Sequence, residues 1–114
     1  MSGCLFCNII ERKIKGDIVY ENNSVLAFKD IMPRAPVHIL IVPRKHIATL
    51  LDLDASDDAL TGEIFRVAAQ LARDHGIADN GFRVVVNCGA SAGQSVFHIH
   101  YHLLGGRQLG WPPG

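Results

Sequence analysis

No run of this 114-residue chain approaches the roughly 20 apolar residues of a membrane span, so no bilayer-crossing helix is expected. Net charge is missing too, since 11 Lys and Arg balance 11 Asp and Glu. That argues against a nucleic acid polymer as partner, because neutralising several phosphates takes clustered cations. It leaves room for one small phosphate ester. Cysteine is scarce and odd in number, three in all, which fits a reducing compartment better than a disulfide framework. The N-terminus MSGCLFCNIIERKIKGD lacks a charged segment followed by an apolar one, so no secretory signal is expected and the cytoplasm is the expected location. Repeats and low-complexity stretches are also missing. Residues 1–114 therefore read as one domain, and a 48% hydrophobic composition can fill its core.

What is present has a clear order. CLFCNIIERKI spaces Phe6, Ile9, Ile10 and Ile14 at roughly helical intervals and predicts a short helix over Leu5–Arg12. DIVYENNSVLAFKD holds two β-rich runs around Glu21-Asn22-Asn23-Ser24, and Asn tolerates left-handed backbone, so this reads as a hairpin. MPRAP is a loop. VHILIVP is a continuous apolar run of strand length, stopped by Pro43 and suited to cover on both faces. ASDDALTGEIFRVAAQLARDHG predicts the long helix, with Ser56 as cap, Asp57 and Asp58 at its positive end, and Gly76 as stop. Its apolar face is Leu60, Ile64, Val67, Ala68 and Leu71. FRVVVNC is a strand, GASAGQS a small-residue loop and VFHIHYHLLG the last strand. The order α-β-β-β-α-β-β with short links predicts an α+β fold: a mostly antiparallel five-stranded sheet, one long helix and a short N-terminal helix.

The last strand carries His98, His100 and His102 at alternate positions. Side chains two apart share a face and repeat every ~6.6 Å, so the three imidazoles share one face while Ile99, Tyr101 and Leu103 pack on the other. Each ring has two nitrogens that need partners. The row could be a solvated polar face, but three such rings beside a Gly-rich loop favour function. Two sharper readings stand: histidines at i and i+2 holding one metal, or one imidazole acting as a nucleophile tuned by its neighbours. The preceding loop, NCGASAGQS, offers Gly89 and Gly93 for close backbone approach to an anion and the hydroxyls of Ser91 and Ser95. Cys4-Leu5-Phe6-Cys7 is a C-x-x-C, which alone suits half a zinc site, a redox pair, or two reduced cysteines with no metal.

The segment His98-Ile99-His100-Tyr101-His102-Leu103-Leu104 matches His-x-His-x-His-apolar-apolar, and with FKDIMPRAPVHILIVPRKHI and the terminal Gly-Trp-Pro-Pro-Gly the chain resembles the histidine triad (HIT) superfamily over nearly its whole length. Within it, the resemblance is to the nucleotide-binding branch, the purine nucleoside phosphoramidases, more than to the diadenosine polyphosphate hydrolases. The resemblance implies a HIT-like fold and a homodimer whose two sheets join into a larger one, with Trp111 reaching toward the partner's site. It implies hydrolysis of the P–N bond of adenosine phosphoramidates (AMP-lysine, AMP-NH2), with aminoacyl-adenylates, cleaved at their P–O bond, as further substrates, through a nucleotidyl-histidine on His100. AMP- and GMP-type nucleotides are the implied ligands, and no cofactor is needed for the chemistry. His38, His98 and His102 join His100 in the implied network, and Ser95 sits near the leaving group. Loop amides from Gly93 through Gln94 to Ser95, together with His102, would hold the phosphate. Asp30 would take the ribose hydroxyls, Ile31, Phe6, Ile9 and Phe28 would wall the purine, and Asn87 would touch phosphate or ribose. For the four apolar residues, plain core packing is the competing role.

Animal phosphoramidases often lack the C-x-x-C, whereas some bacterial triad proteins and the related galactose-1-phosphate uridylyltransferases have it. That likeness implies one structural zinc on Cys4, Cys7, His46 and His98. A nucleotide-binding regulatory module with little catalysis remains the alternative from a different class, as does a catalytic metal on the histidine row. A histidine nucleophile also implies a rate that falls in acid, with an ordinary imidazole value near 6.5.

Overall fold

The structure, a computed structural model, describes residues 3–114. Its elements run α1 (Leu5–Ile10), β1 (Ile18–Glu21), β2 (Val25–Lys29), β3 (Val37–Pro43), α2 (Asp58–Asp74), β4 (Phe82–Val86) and β5 (Tyr101–Gly105). The five strands form one sheet in the order β1-β2-β3-β5-β4, each pair antiparallel. This is the expected α+β architecture and element order.

β3 sits at the centre, and its unbroken apolar run has the physical reason anticipated for it. Ile39 and Ile41 face α2, where Ile64, Val67, Ala68 and Leu71 meet Ile99, Tyr101 and Leu103 in the larger core. Leu40 and Val42 face the other way, into a smaller core with Phe6 and Ile9 of α1 and Leu26 and Phe28 of β2. Two helices thus cover opposite faces of the sheet, and the histidine face is the one under α1. The β1–β2 turn is held by Asn22, whose Oδ1 accepts the amides of Ser24 and Val25, each at 2.8 Å.

Three boundaries differ from the sequence expectation. α1 stops at Ile10, and Arg12 takes a left-handed φ of 64° instead of continuing the helix. Asp54, not Ser56, caps the entry to α2: its carboxylate accepts the Ser56 amide and starts a 3-10 turn over Ala55–Asp57 that leads into the helix. Asp precedes Ser there and offers the stronger, charged acceptor. Gly76 does end the long helix, with φ 75°. The last strand is shorter than predicted. The ladder pairs Ile41 with Tyr101, so the next non-neighbouring partner would be Pro43. Proline has no N–H to give, and its carbonyl accepts the side chain of His98 instead. His98 and His100 therefore lie outside the ladder, in a segment that bends through His98 before β5 and is anchored by the Ile99 amide on the Ile47 carbonyl.

Candidate active site

β5 and the segment before it put the three imidazoles on one face, as alternation requires, but not on one point. Each has its own partner. His98 Nε2 lies 2.8 Å from the Pro43 carbonyl, so that nitrogen donates and Nδ1 is left bare. His100 Nδ1 lies 2.8 Å from the carbonyl of His98 and donates to it. A neutral imidazole carries one hydrogen, so Nε2 of His100 keeps its lone pair. His102 Nδ1 lies 2.9 Å from Nε2 of His38. The Arg34 amide donates to His38 Nδ1 at 3.0 Å, which puts the His38 hydrogen on Nε2, directed to His102. His102 then carries its own hydrogen on Nε2. Four hydrogen bonds thus set four tautomers. The three rings of the row do not converge on one metal, and His102 shares a close donor group with Asp30 and His38 instead.

The rings are held neutral. Burial drives His100 and His38 below their ordinary value, with the Asp30 carboxylate opposing the shift in both. His102 falls furthest, to about 4, chiefly through burial and then because charging it beside His100 and His38 would crowd like charges together. Asp30 stands beside this group, its Oδ2 at 3.4 Å from His38 Nε2, while its Oδ1 accepts the Met32 amide.

These residues open on a cleft of about 420 Å³. Of the predicted residues, Asp30, Ile31, Phe6, Ile9, Phe28, Asn87, Gly93, Ser95, His100 and His102 line it. Phe6, Ile9 and Phe28 are also core, each at most 7% exposed, whereas Ile31 stands 94% exposed at the rim. The two roles proposed for these apolar residues therefore coexist in the first three. Phe6 meets the His100 ring edge to face at 5.0 Å and Phe28 at 5.3 Å. His38 stands behind His102 and does not line the cleft.

Two predicted ligands lie elsewhere. Gln94 is 4% exposed and turned inward. Its Oε1 accepts the Gly89 amide, and its Nε2 donates to the carbonyls of Ala48 and Val96. It braces the loop and does not line the cleft. Trp111, 84% exposed in the tail, is also outside the cleft. The loop amides divide in the same way: those of Gly93 and Gln94 are spent on the carbonyls of Ala90 and Gly89. The amides of Ser95 and Val96 have no partner among the described residues. Gly93, at φ 94°, makes the turn that leaves them free. Leu40 was missed. It lines the cleft opposite His102, and its position two residues after His38 is the periodic signal that marks it. Val96 carries no comparable signal.

The second cluster is Cys4, Cys7, His46 and His98, whose donor atoms all lie within 4.8 Å of one another. A tetrahedral zinc with ordinary bond lengths needs N···N near about 3.3 Å and S···N near about 3.6 Å. Here the two Nδ1 atoms are 3.2 Å apart, and Cys7 Sγ to His46 Nδ1, Cys4 Sγ to His98 Nδ1 and Cys7 Sγ to His98 Nδ1 measure 3.3, 3.4 and 3.5 Å. His98 presents the bare nitrogen that a metal requires. The donors therefore fit zinc. Four protein ligands leave no open position, so a bound ion would hold structure and carry no chemistry. Burial, together with the Cys4 thiol beside it, pushes the Cys7 thiol up to about 11; a coordinating ion removes such a proton outright.

The profile of the HIT domain matches residues 11–109. The chain belongs to the HIT domain family. Its similarity to HIT proteins runs end to end. It is 48% identical over 110 residues to an uncharacterized HIT-like protein of Synechococcus elongatus, covering 96% of each chain. It is 48% identical over 106 residues to the purine nucleoside phosphoramidase of Escherichia coli K12, covering 93% of this chain and 89% of that one. The crystal structure of a HIT family hydrolase from Legionella pneumophila superposes with a TM-score of 0.97 at 48% identity, over 98% of this chain and 100% of that one.

Proposed function

We propose that this HIT protein hydrolyses the P–N bond of purine nucleoside 5'-phosphoramidates, with His100 as nucleophile. One observation carries the reading: the His100–His98 carbonyl bond leaves a neutral ring that lines the cleft with an unprotonated Nε2. The likeness to the E. coli phosphoramidase supports the substrate class.

The steps follow from the groups present. Nε2 attacks phosphorus, the P–N bond breaks and the nitrogen takes a proton and leaves. In this reading the hydroxyl of Ser95, a residue that lines the cleft, relays that proton and recovers it from the attacking water of the second step. The ring becomes a cationic nucleotidyl-imidazole, and its Nδ1–H, already bonded to the His98 carbonyl, disperses the new charge. Water then attacks phosphorus, the N–P bond breaks and the ring returns neutral, so each turnover consumes one water. Charge on the phosphate oxygens meets the free amides of Ser95 and Val96 and the Nε2–H of His102; fixed donors of this kind stabilise a transition state without reorganising. Asp30 takes the ribose diol, and Phe6, Ile9, Phe28 and Ile31 wall the base. In the same reading the protein is a single cytoplasmic HIT domain over residues 1–114 that works as a homodimer. The support for the dimer is β4, an edge strand, together with the exposed Trp111.

The test is turnover of AMP-NH2 and AMP-lysine by the wild type and by His100→Ala. The variant should fold and lose turnover by at least a thousandfold. Wild-type turnover in the variant, or AMP binding with no hydrolysis of any phosphoramidate by the native protein, would overturn the reading.

A further inference from the structure

The Cys/His centre and the cleft are not separate. Three connections join them. First, His98 serves both: its imidazole Nδ1 faces the cysteines, and its carbonyl holds His100 Nδ1 at 2.8 Å. Second, Cys4 and Cys7 bracket Leu5 and Phe6, which line the cleft together with Ile9 of the same helix. Third, Phe6 lies against the His100 ring. Helix α1, which supplies that wall, has six residues. Helices so short do not stand alone in water, because nucleation outweighs the few bonds gained. Its helical cap is the Cys4 sulfur, which accepts the Cys7 amide at 3.2 Å. Without an ion, the centre is held together by hydrogen bonds of the cysteine sulfurs, which are weak.

We propose that a zinc ion on Cys4, Cys7, His46 and His98 is a clasp that sets nucleotide affinity, by holding α1 as the cleft wall and fixing the His98 carbonyl that orients His100. Phe6 and His98 are positioning residues in this account. The cleft being a nucleotide site rests on the function proposed above; the clasp on α1 does not. The contacts between the sheet and α2 lie in the larger core, on the face away from α1. Removal of the ion therefore loosens one wall and leaves the fold standing.

The experiment compares the zinc-loaded full-length protein, the same protein after chelation, and the chelated protein given zinc again. A fourth sample is His46→Asn, which removes a ligand that does not line the cleft. Two readouts are taken: AMP affinity by calorimetry, and hydrogen exchange of the amides of residues 5–10 against those of β2, β3 and β5. The loaded chain should hold one zinc. Chelation and His46→Asn should each weaken AMP binding at least tenfold and expose the α1 amides, with the sheet amides still protected, and added zinc should restore the chelated sample. The proposal is overturned by a chain that takes up no zinc, by AMP affinity within twofold after chelation, by α1 amides that stay protected, or by protection lost throughout the sheet. If no sample binds AMP, the nucleotide reading fails, and exchange at α1 alone decides the clasp.

Discussion

His38 is 7% exposed and makes two bonds with different purposes. Nδ1 accepts the Arg34 amide at 3.0 Å, and Nε2 donates to His102 at 2.9 Å. Two substitutions separate them. His38→Asn places its amide near the old Nδ1 and keeps an acceptor for Arg34, but leaves His102 Nδ1 without its donor. His38→Gln reaches the old Nε2 position and keeps a donor for His102, but frees the Arg34 amide. Arg34 is exposed, so water takes over its amide and Gln should cost only about 0.5–1.5 kcal/mol of stability, the net worth of one hydrogen bond. A buried acceptor left unpaired costs about 1–3 kcal/mol, an upper bound for the half-buried His102. In the Asn variant that loss falls on the ring proposed to donate to the phosphate. At about 1.4 kcal/mol per factor of ten, kcat/KM with an AMP phosphoramidate should fall roughly 5- to 150-fold. The loss should sit mainly in kcat, because the cleft walls are untouched. Steady-state kinetics with thermal melts of both variants make the test. An Asn variant with wild-type kcat/KM, or a Gln variant that loses as much as Asn, refutes the assigned direction of the relay.

Acid should destabilise the protein. His38, His100 and His102 all have depressed values, His102 about 4, so between about 6.5, the unfolded value, and that range the unfolded chain binds more protons. Stability is then fully present above about pH 6.5 and is lost as pH falls toward about 4; urea unfolding at several pH values checks it, and a flat profile contradicts it. The acid limb of the rate should for the same reason lie below 6.5, and a pH–rate profile with its inflection above 7 would contradict that. Gly105→Ala would set a Cβ at 2.6 Å from Ile77 Cδ1. Overpacking of this kind should cost about 1–3 kcal/mol, and adding Ile77→Val, which deletes that methyl, should recover part of it in denaturant melts. Ser95→Ala should slow poor amine leaving groups more than good ones; an equal effect on all of them would remove Ser95 from the proton exchange.

Period two and period 3.6 made most of the fold legible. Ile99, Tyr101 and Leu103 pack where alternation puts them, and the two-faced burial of β3 was written in VHILIVP. What local patterning could not show was competition for backbone groups. Pro43 ends the β3–β5 ladder early because its carbonyl is taken by a side chain 55 positions away. Gln94, beside two cleft residues in sequence, turns inward because the loop amide of Gly89 and the carbonyls of Ala48 and Val96 need partners. Phe6 and Phe28 read equally well as core or as wall, and only the third dimension shows them doing both. The meeting of Cys4 and Cys7 with His46 and His98 is likewise a contact of distant segments; spacing alone suggested half of it, and the resemblance to other triad proteins the rest.

The central claim is that phosphorus is bonded to one particular nitrogen during turnover. Rapid quenching of the protein with a slow adenosine phosphoramidate, followed by peptide mass analysis, tests it directly. The account predicts an adenylyl group on the peptide carrying His100, located on that imidazole by fragmentation, appearing before AMP accumulates and decaying as it does. AMP released at the full rate with that ring never modified would contradict it.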